Sequence, residues 1–553
     1  MTASPAAEHV ELAATRPPTS VEQARGSGSN APQISTHPYI GTLGVFLGAM
    51  TATLNGRLVT VGLPDLRGAL GVGFDEASWI PTILNMGIMF IGVFSVFLGT
   101  AYGIRRVLMI SGVIFTLTSL ALPFAPTLGA MLVLQAIAGL SSGSFYSLTL
   151  TFVARSLPPK VLIFGIAAYA LDIVVTSNVA VVIQGAFAEY LSWHWIFWTA
   201  AILTPLVMIC LYVGVPPLPD SARSTPKPSW RGFLYMSLGL SLIYGALDQG
   251  ERLNWLSSGV VAALLATGGF LILAAIVRRY LQPNPLVNLP FLNARNVVIF
   301  GLGIFLIRFA LLASLSAIPG FLANIQAYRP IQTGKALAWV AAPQFVVVWV
   351  AAIACVFVQS RVVLATGFAT IAVACWMAAH ADPSWAGRSF LVPELLLGAG
   401  YSAAFVGLVV SLVVLALEMG AVTSLVNAAT FSGCMHAVRL MGGEMGAVLL
   451  GRFITVREHL HSNLLGQHID PGSWLTAERL GALTAGLAPS SAGQGDAQAR
   501  AVGLLSAQVR TQAYTLAYSD VFLLIAWSIV AYLLLLVFLR RSTIDLREVG
   551  KKQ

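Results

Sequence analysis

Residues 50–64, MTATLNGRLVTVGLP, close the first long apolar run of the chain and place Asn55 and Arg57 inside it. A charged residue within a membrane helix costs at least about 2.5–3.5 kcal/mol, so it must face a polar cavity, pair with another group or reach the interface. Several later apolar runs hold charged residues as well. The pattern indicates a polar path through lipid.

The composition excludes a water-soluble globular protein. Of the 553 residues, 57% are hydrophobic and 10% are charged, with a mean hydropathy of +0.81, whereas soluble domains have about 25% charged residues. Long continuous apolar runs favour helices over the alternating strands of a membrane barrel. We therefore predict an all-α integral membrane protein.

The apolar runs predict about 14 transmembrane helices, since one span takes about 20 residues. We place these spans at residues 40–63, 76–100, 106–124, 128–153, 161–187, 194–215, 230–248, 256–280, 296–320, 335–357, 361–380, 389–415, 427–453 and 517–540.

The net charge of +9 indicates orientation rather than nucleic-acid binding, because the basic residues lie in short loops between apolar runs. If successive spans cross the membrane in opposite directions, most of these basic residues fall on one side of the membrane. They include Arg105, Arg106, Arg278 and Arg361. The positive-inside rule makes that side cytoplasmic. We predict that both termini are cytoplasmic.

Several stretches match the motifs of one transporter family, in order and at matching spacing. Residues 54–64, LNGRLVTVGLP, align with the first-span motif LDxTIVNVALP, residues 192–197, SWHWIF, with SWRWIF, and residues 439–443, RLMGG, with RxLGG of span 13. Over about residues 40–540 the chain resembles the major facilitator superfamily, and within it the fourteen-span drug:H+ antiporters of the EmrB/QacA type.

The resemblance implies a major facilitator fold with two six-helix lobes plus two extra helices. It also implies a secondary active transporter of the bacterial inner membrane that exports amphipathic toxic compounds or drugs by proton antiport and alternating access. A proton gradient is then the energy source, and no cofactor is expected.

The implied organisation divides the chain into five segments. These are a disordered cytoplasmic tail at 1–37, an N-lobe at 38–216, two linker helices at 217–285, a C-lobe at 286–541 and a cytoplasmic tail at 542–553. Within the C-lobe, we expect a long periplasmic loop at 454–516 with helical extensions around a disordered middle.

The chain departs from the family at positions that handle protons. Asn55 stands at the first-span Asp, Thr100 at the acid after span 2, and Gln135 at the span-4 Arg; the span-5 Gly-Pro falls at 180–181, which leaves Gln184 nearby. Either other acids couple proton movement to transport in this chain, or the chemistry of coupling differs from that of the family. The alternatives are an importer or facilitator of a small organic anion, or an exporter of an endogenous metabolite or siderophore.

Among the acids within predicted spans we consider three as candidates, because proton relays in membranes are built from such residues. Asp172 in span 5 either carries a proton or forms a structural ion pair with an arginine. Glu444 in span 13 is either solvated near the outer mouth or involved in coupling. Glu394, close to the start of span 12, is expected to be solvated.

Two arginines in predicted spans bear on the substrate. Arg57 either reaches the outer interface or lies in the cavity, and Arg308, in the middle of its span, either lines the cavity or forms a buried pair. Two cavity arginines would suit an acidic or amphipathic anionic substrate.

The remaining candidates are polar or flank the membrane. Gln135, Asn178, Gln184 and Arg439 either line the substrate and proton pathway or connect helices by hydrogen bonds, and His436 is expected to be structural. Three more either form a cytoplasmic gate or set the topology: Gly103, Arg105 and Arg106.

The expected partners are membrane lipid and a small-molecule substrate, with no nucleic acid. In the resembling family, some members also work with a periplasmic adaptor (membrane fusion) protein and an outer-membrane channel. The sequence has no HExxH metal motif and no Gly-x-Ser-x-Gly elbow, so we predict neither a metal site nor an enzyme. A non-transporting receptor on the same scaffold is a further alternative.

Overall fold

The computed structural model describes residues 37–157, 159–217, 230–281, 294–418, 425–470 and 472–539. Every regular element in these ranges is a helix, which confirms the predicted all-α class. Of the two predicted tails, only His37 lies within the described residues.

The first half of the described chain contains eight α-helices. They are α1 Pro38–Val61, α2 Leu63–Leu70, α3 Phe74–Ala77, α4 Trp79–Tyr102, α5 Ile104–Ala121, α6 Leu128–Ser156, α7 Pro159–Tyr190 and α8 Trp195–Gly214.

The remaining described residues form ten more α-helices. They are α9 Trp230–Gly250, α10 Gly259–Leu281, α11 Arg295–Leu312, α12 Ile318–Gln326, α13 Pro330–Phe357, α14 Ser360–Ala378, α15 Leu391–Glu418, α16 Leu425–Gly466, α17 Trp474–Leu487 and α18 Gln494–Leu536. A π-helical segment at Ala313–Ala317 joins α11 to α12.

Eleven helical segments of the described chain are long and apolar enough to cross a membrane. The first, seventh and thirteenth predicted spans fall on α1, α9 and α16, which are not among the eleven. Each of these helices carries a charged residue in its apolar run, such as Arg57, Asp248 or Arg439. The count of 14 spans therefore stays a prediction, although each predicted span coincides with a helix.

Two apolar cores form, one from α1–α8 and one from α11–α18. The long helix α7 belongs to both, because Ala180 packs in the first core and Val174 in the second. It therefore lies where the two halves meet. The division of the chain at the predicted lobe boundaries stays a prediction.

Helices α7 and α13 make a close contact between the halves at one end of the bundle. A Cβ added to Gly185 would lie 3.0 Å from the Cα of Ile331, and one added to Gly334 would lie 3.1 Å from the Cα of Val182. We call this end the hairpin side, since the α16–α18 hairpin projects from it, and the opposite end, where α1 begins, the terminal side.

The two extra helices α9 and α10 pack on each other through glycines. A Cβ on Gly239 would come within 2.8 Å of the Gly268 carbonyl oxygen. Helix α9 also contacts α4 and α16, and the Ser241 hydroxyl donates to the Met86 carbonyl oxygen at 2.7 Å. It therefore touches both halves of the molecule.

The hairpin corrects the prediction of a disordered middle for residues 454–516. Helix α16 has 42 residues, about 63 Å at 1.5 Å per residue, which is roughly twice the hydrocarbon thickness of a bilayer. Between it and α18 lies α17, which packs on α18. The α17 sequence is rich in Ala and Leu, which favour helix, so the prediction was wrong for this segment.

A first prediction concerns the glycine contact of α6 with α4. A Cβ on Gly139 would overlap the carbonyl oxygen of Leu84, whereas Gly269 of α10 has nothing within 4 Å. We expect Gly139→Val to destabilise the protein by about 1–3 kcal/mol through forced separation of the helices, and Gly269→Val to have little effect. Thermal midpoints of the purified variants in detergent would measure this, and equal midpoints would contradict the packing.

Candidate substrate cavity

A cavity lies between helices of the two halves. Its walls come from α6 and α7 on one side and from α11, α15 and α16 on the other. The α7–α13 contact stands between this cavity and the hairpin side.

Two cationic side chains, Arg308 of α11 and Arg439 of α16, line the cavity. The Arg439 guanidinium carbon lies 4.5 Å from the ring centroid of Tyr146, within cation–π distance. Among the described residues, the ion pairs include neither arginine. The Arg308 Nε is buried without a hydrogen-bond partner. The structure thus places Arg308 in the cavity rather than in a buried pair.

Arg57 reaches the same region from α1. It interacts electrostatically with Arg308 and Tyr244, and its Nε is buried with no hydrogen-bond partner in the described part of the chain. Its side chain therefore points toward the bundle interior, which favours the cavity position over an extension to the interface.

Asp172 on α7 faces this cationic region as well. It interacts electrostatically with Arg439, but the two form no ion pair among those of the described residues. Its Oδ1 accepts a hydrogen bond from the Thr176 hydroxyl at 3.4 Å, and its Oδ2 is buried without a partner among the described residues. The carboxyl is thus close to the cavity and incompletely satisfied, and the tight structural ion pair is not formed.

The part of the lining that α15 contributes, on the same side as Arg308 and Arg439, is apolar. Helix α15 presents Phe405, Leu408, Val409 and Leu412 to it, spaced so that they share one face of the helix. A ligand with a negatively charged head and an apolar body would satisfy both surfaces, because the arginines attract the head while water leaves the aliphatic wall.

Four predicted pathway residues lie buried outside the cavity lining. The amides of Asn55 and Gln135 each retain a buried polar atom without a partner in the described residues. Asn178 donates from Nδ2 to a backbone carbonyl one turn earlier at 2.9 Å. Gln184 donates from Nε2 to Asp65 Oδ2 at 2.9 Å, which ties α7 to α2. For Asn178 and Gln184 the structure shows hydrogen bonding within and between helices.

Glu394 was predicted to be solvated, and for Glu444 solvation was one of two alternatives. Glu394 is completely buried, and neither carboxyl oxygen has a hydrogen-bond partner in the described residues. Helices α13 and α14 pack against α15 and exclude water from it. Glu444 accepts a hydrogen bond from the Tyr244 hydroxyl at 2.6 Å, because α9 covers this part of α16. The prediction for Glu394 was therefore wrong, whereas Glu444 is half-buried and hydrogen-bonded to α9.

The residues after span 2 brace helices within one half. Gly103 ends α4 with φ 88°, a conformation that favours glycine. The Arg105 guanidinium carbon lies 4.3 Å from the Tyr212 ring centroid on α8, and Arg106 is exposed. These contacts do not join the two halves, so the gate stays a prediction.

His436, expected to be structural, lines the cavity and also contacts α4. Its Nε2 lies 3.3 Å from the carbonyl oxygen of Ile88. A carbonyl only accepts, so Nε2 carries the hydrogen. The ring also packs directly on Gly92, which fastens α16 to α4 next to the cavity.

Sequence reasoning missed three residues of this region. Tyr169 lines the cavity, while Tyr244 and Asp248 bring polar groups from α9. The available signal was weak: Tyr169 and Tyr244 are polar-tipped residues in apolar runs, and Asp248 is the last residue of the seventh predicted span.

Comparisons with known proteins agree with this architecture. The sequence model described as Major Facilitator Superfamily matches residues 45–437. The chain is 22% identical over 502 residues to the multidrug export protein EmrB of Haemophilus influenzae, covering 90% of this chain and 94% of that protein. It is 21% identical over 488 residues to the fatty acid resistance protein FarB of Neisseria gonorrhoeae, covering 87% and 92%.

A solved structure shows the same fold. The proton:xylose symporter XylE superposes with a TM-score of 0.54 at 12% identity, over 94% of this chain and 99% of that one. At this identity the likeness concerns the fold alone.

A second prediction tests Asp172. Asp172→Asn removes the only carboxyl of α7 that faces Arg439 and leaves the cations uncompensated. We expect transport to be lost while the protein still inserts and still binds an organic anion, measured by the fluorescence of anilinonaphthalene sulfonate. Glu189→Gln, an exposed acid at the end of the same helix, is the control. Unchanged transport by the Asp172 variant would remove this residue from the site.

Proposed function

Because this chain belongs to the major facilitator superfamily and is a multi-pass membrane transporter of the EmrB-like type, we propose that it exports amphipathic organic anions by proton antiport. The observation that carries the proposal is the cavity, whose lining combines two arginines with an aliphatic surface from α15. The proposed site is the bacterial inner membrane, with the terminal side in the cytoplasm.

The charge balance around the cavity favours an anion. Arg308 interacts electrostatically with both Arg57 and Arg439. Asp172 supplies one negative charge when ionised, and Glu444 interacts with Arg308 from the side of α9. An arginine can hold a carboxylate or sulfonate with two parallel hydrogen bonds, and its attraction is stronger in a low dielectric than in water.

The names of two relatives agree with an amphipathic substrate. EmrB is named for multidrug export and FarB for fatty acid resistance. A fatty acid combines one acidic head with an apolar chain, the combination to which the cavity wall is complementary. We propose export rather than import because one of these names refers to export and the other to resistance.

Proton coupling is proposed on the acids that remain. Asn55 replaces the acid of the first span, so the coupling proton needs another carboxyl, and Asp172 is the one that faces the cavity arginines. The same substitution favours the second candidate function, a facilitator of a small organic anion that uses no proton.

The third prediction tests substrate class and coupling together. Proteoliposomes with a pH gradient should export anilinonaphthalene sulfonate, a permanent anion, in preference to the cation tetraphenylphosphonium. Arg57→Ala and Arg308→Gln should each abolish anion export, because each removes a cation that attracts the head group. The exposed Arg388→Ala is the control.

Two results would change the proposal. Export of the anion that persists after the pH gradient is collapsed would favour the facilitator. Preference for the cation, or full activity of both arginine variants, would contradict the anionic substrate.

We also propose that the hairpin of α16, α17 and α18 contacts a periplasmic adaptor, which would connect to an outer-membrane channel. The length of α16 supports this, because its end extends beyond the hydrocarbon layer. Most of the α17 side chains are exposed, and none is buried.

The fourth prediction concerns this hairpin. Replacing residues 467–493 with a Gly-Ser linker should leave export by proteoliposomes intact, since the cavity is untouched, and should abolish the resistance that the transporter confers on cells. Unchanged cellular resistance would contradict an adaptor contact at α17.

A further inference from the structure

A groove on the outer surface of the first half lies between α5 and α8 and shares no lining residue with the substrate cavity. Its volume of about 510 Å³ lies within the usual range of ligand pockets, about 300–1,000 Å³. Helix α5 contributes Met109, Val113, Thr116 and Leu117 to the lining, and α8 contributes Pro205, Met208, Ile209, Tyr212 and Val213. On each helix this spacing places the residues on one face.

A glycine allows the two helices to meet at the base of the groove. A Cβ on Gly112 of α5 would lie 2.8 Å from the Met208 Cγ of α8, so the helices touch there while the side chains around them stand outward. Val113 is 45% exposed and Ile209 is 63% exposed. The Thr116 hydroxyl donates to the Gly112 carbonyl oxygen at 2.9 Å, so this polar group of the lining is already engaged.

Two cations lie at one end of the groove. Arg105 is one turn before Met109 in α5, and its guanidinium carbon lies 4.3 Å from the ring centroid of Tyr212, within cation–π distance. Arg106 follows it and is exposed. No other charged residue occurs in α5 or α8, and neither arginine takes part in the ion pairs of the described residues. The groove therefore has a positive end and an apolar body.

The positive end lies on the terminal side of the molecule. Helix α8 ends there, since a Cβ on Gly214 would overlap the backbone of Gly41 near the beginning of α1. Arg105 and Leu117 are 12 residues apart in α5, which is about 18 Å at 1.5 Å per residue. The hydrocarbon core of a bilayer is about 30 Å thick, so the groove and its cations together extend over about one leaflet.

We propose that this groove binds one phospholipid with an anionic headgroup. The phosphate lies at Arg105 and Arg106, and one acyl chain lies along the groove. The inference goes beyond the proposed function, because it concerns the surface that faces lipid and not the transported molecule.

The charge at the end of the groove decides between the lipids that surround the protein. A zwitterionic headgroup carries an ammonium group beside its phosphate, and the two arginines repel that ammonium. A headgroup whose only charge is the phosphate meets attraction alone. Arg105 can donate two parallel hydrogen bonds to one phosphate. Its contact with the Tyr212 ring restrains the guanidinium before the lipid binds, which lowers the entropic cost of binding.

The apolar body of the groove suits an acyl chain. Met109 and Met208 are unbranched and flexible, and such side chains adapt to a chain of variable shape. Because bulk lipid is as apolar as the groove, the chain adds packing contacts rather than a hydrophobic driving force. The preference among lipids therefore comes from the phosphate, and a soluble phosphate without a chain would lack these packing contacts.

The test is native mass spectrometry of the purified full chain, released from micelles that contain equal amounts of phosphatidylglycerol and phosphatidylcholine with the same palmitoyl and oleoyl chains. The unmodified protein should retain one phosphatidylglycerol in preference to phosphatidylcholine. Arg105→Gln and Arg106→Gln should each lower the affinity for phosphatidylglycerol about 5-fold, and the double variant about 25-fold, because each basic residue adds to the attraction of an anionic headgroup.

Each kind of variant has a matched control. Arg231→Gln removes one positive charge from an exposed position at the beginning of α9, on the same side of the molecule, and should not change the retention of phosphatidylglycerol. Val113→Trp fills the groove and should displace the lipid although both arginines are present. Ile110→Trp enlarges an exposed residue of the same helix outside the lining and should not displace it.

Two further measurements identify the ligand and its place. Glycerol 3-phosphate, which carries the headgroup charge without an acyl chain, should not displace the lipid. Arg308→Gln alters the substrate cavity and should leave the retained lipid unchanged.

Several results would overturn the proposal. These are equal retention of the two lipids by the unmodified protein, full retention by the double arginine variant or by Val113→Trp, and equal losses in Val113→Trp and Ile110→Trp. Displacement by glycerol 3-phosphate would show a soluble phosphate site instead, and loss of the lipid in Arg308→Gln would place it in the substrate cavity. A dimer that Val113→Trp dissociates would identify a second copy of the chain as the occupant. The measurement involves no transport, so none of these results bears on the proposed export.

Discussion

Guanidinium groups buried among membrane helices impose the main constraint on this structure. Arg57, Arg308 and Arg439 come from three helices, and none takes part in the ion pairs of the described residues. An uncompensated cation is costly in hydrocarbon, so the helices around these residues cannot close completely. The cavity between the halves is the consequence, and the apolar wall on α15 gives it a second surface of different chemistry.

The close packing elsewhere complements this opening. Glycines bring α7 onto α13, α6 onto α4 and α9 onto α10 at distances that no larger residue permits. Without a hydrophobic driving force between helices in lipid, such contacts supply much of the packing. The bundle is therefore tight at the hairpin side and along the extra helices, and open near its centre, where a transporter needs space for its substrate.

The helix α9 makes polar contacts with both halves. Its Ser241 and Asp248 bind α4, and its Tyr244 binds α16. A helix that served only to link two lobes would not need these groups in lipid, where each buried polar atom must find a partner. The fold is shared with a sugar symporter at 12% identity, so the chemistry of this chain resides in such side chains and not in the scaffold.

The sequence alone determined that the chain is a helical membrane protein and where its helices lie, because a backbone in lipid must satisfy its own hydrogen bonds. It also singled out Arg57 and Arg308, since a charge in lipid is costly, but it left open whether Arg57 reaches the interface and whether Arg308 forms a buried pair.

The tertiary structure decided which side chains meet. Gln184 pairs with Asp65 across 119 residues of sequence, and Tyr244 with Glu444 across 200. Glu394, near a helix start, is buried by neighbouring helices that its own sequence does not encode. In lipid both faces of a helix are apolar, so the periodicity of a span does not show which face points to a neighbour. Only packing fixes that rotation, and with it the site.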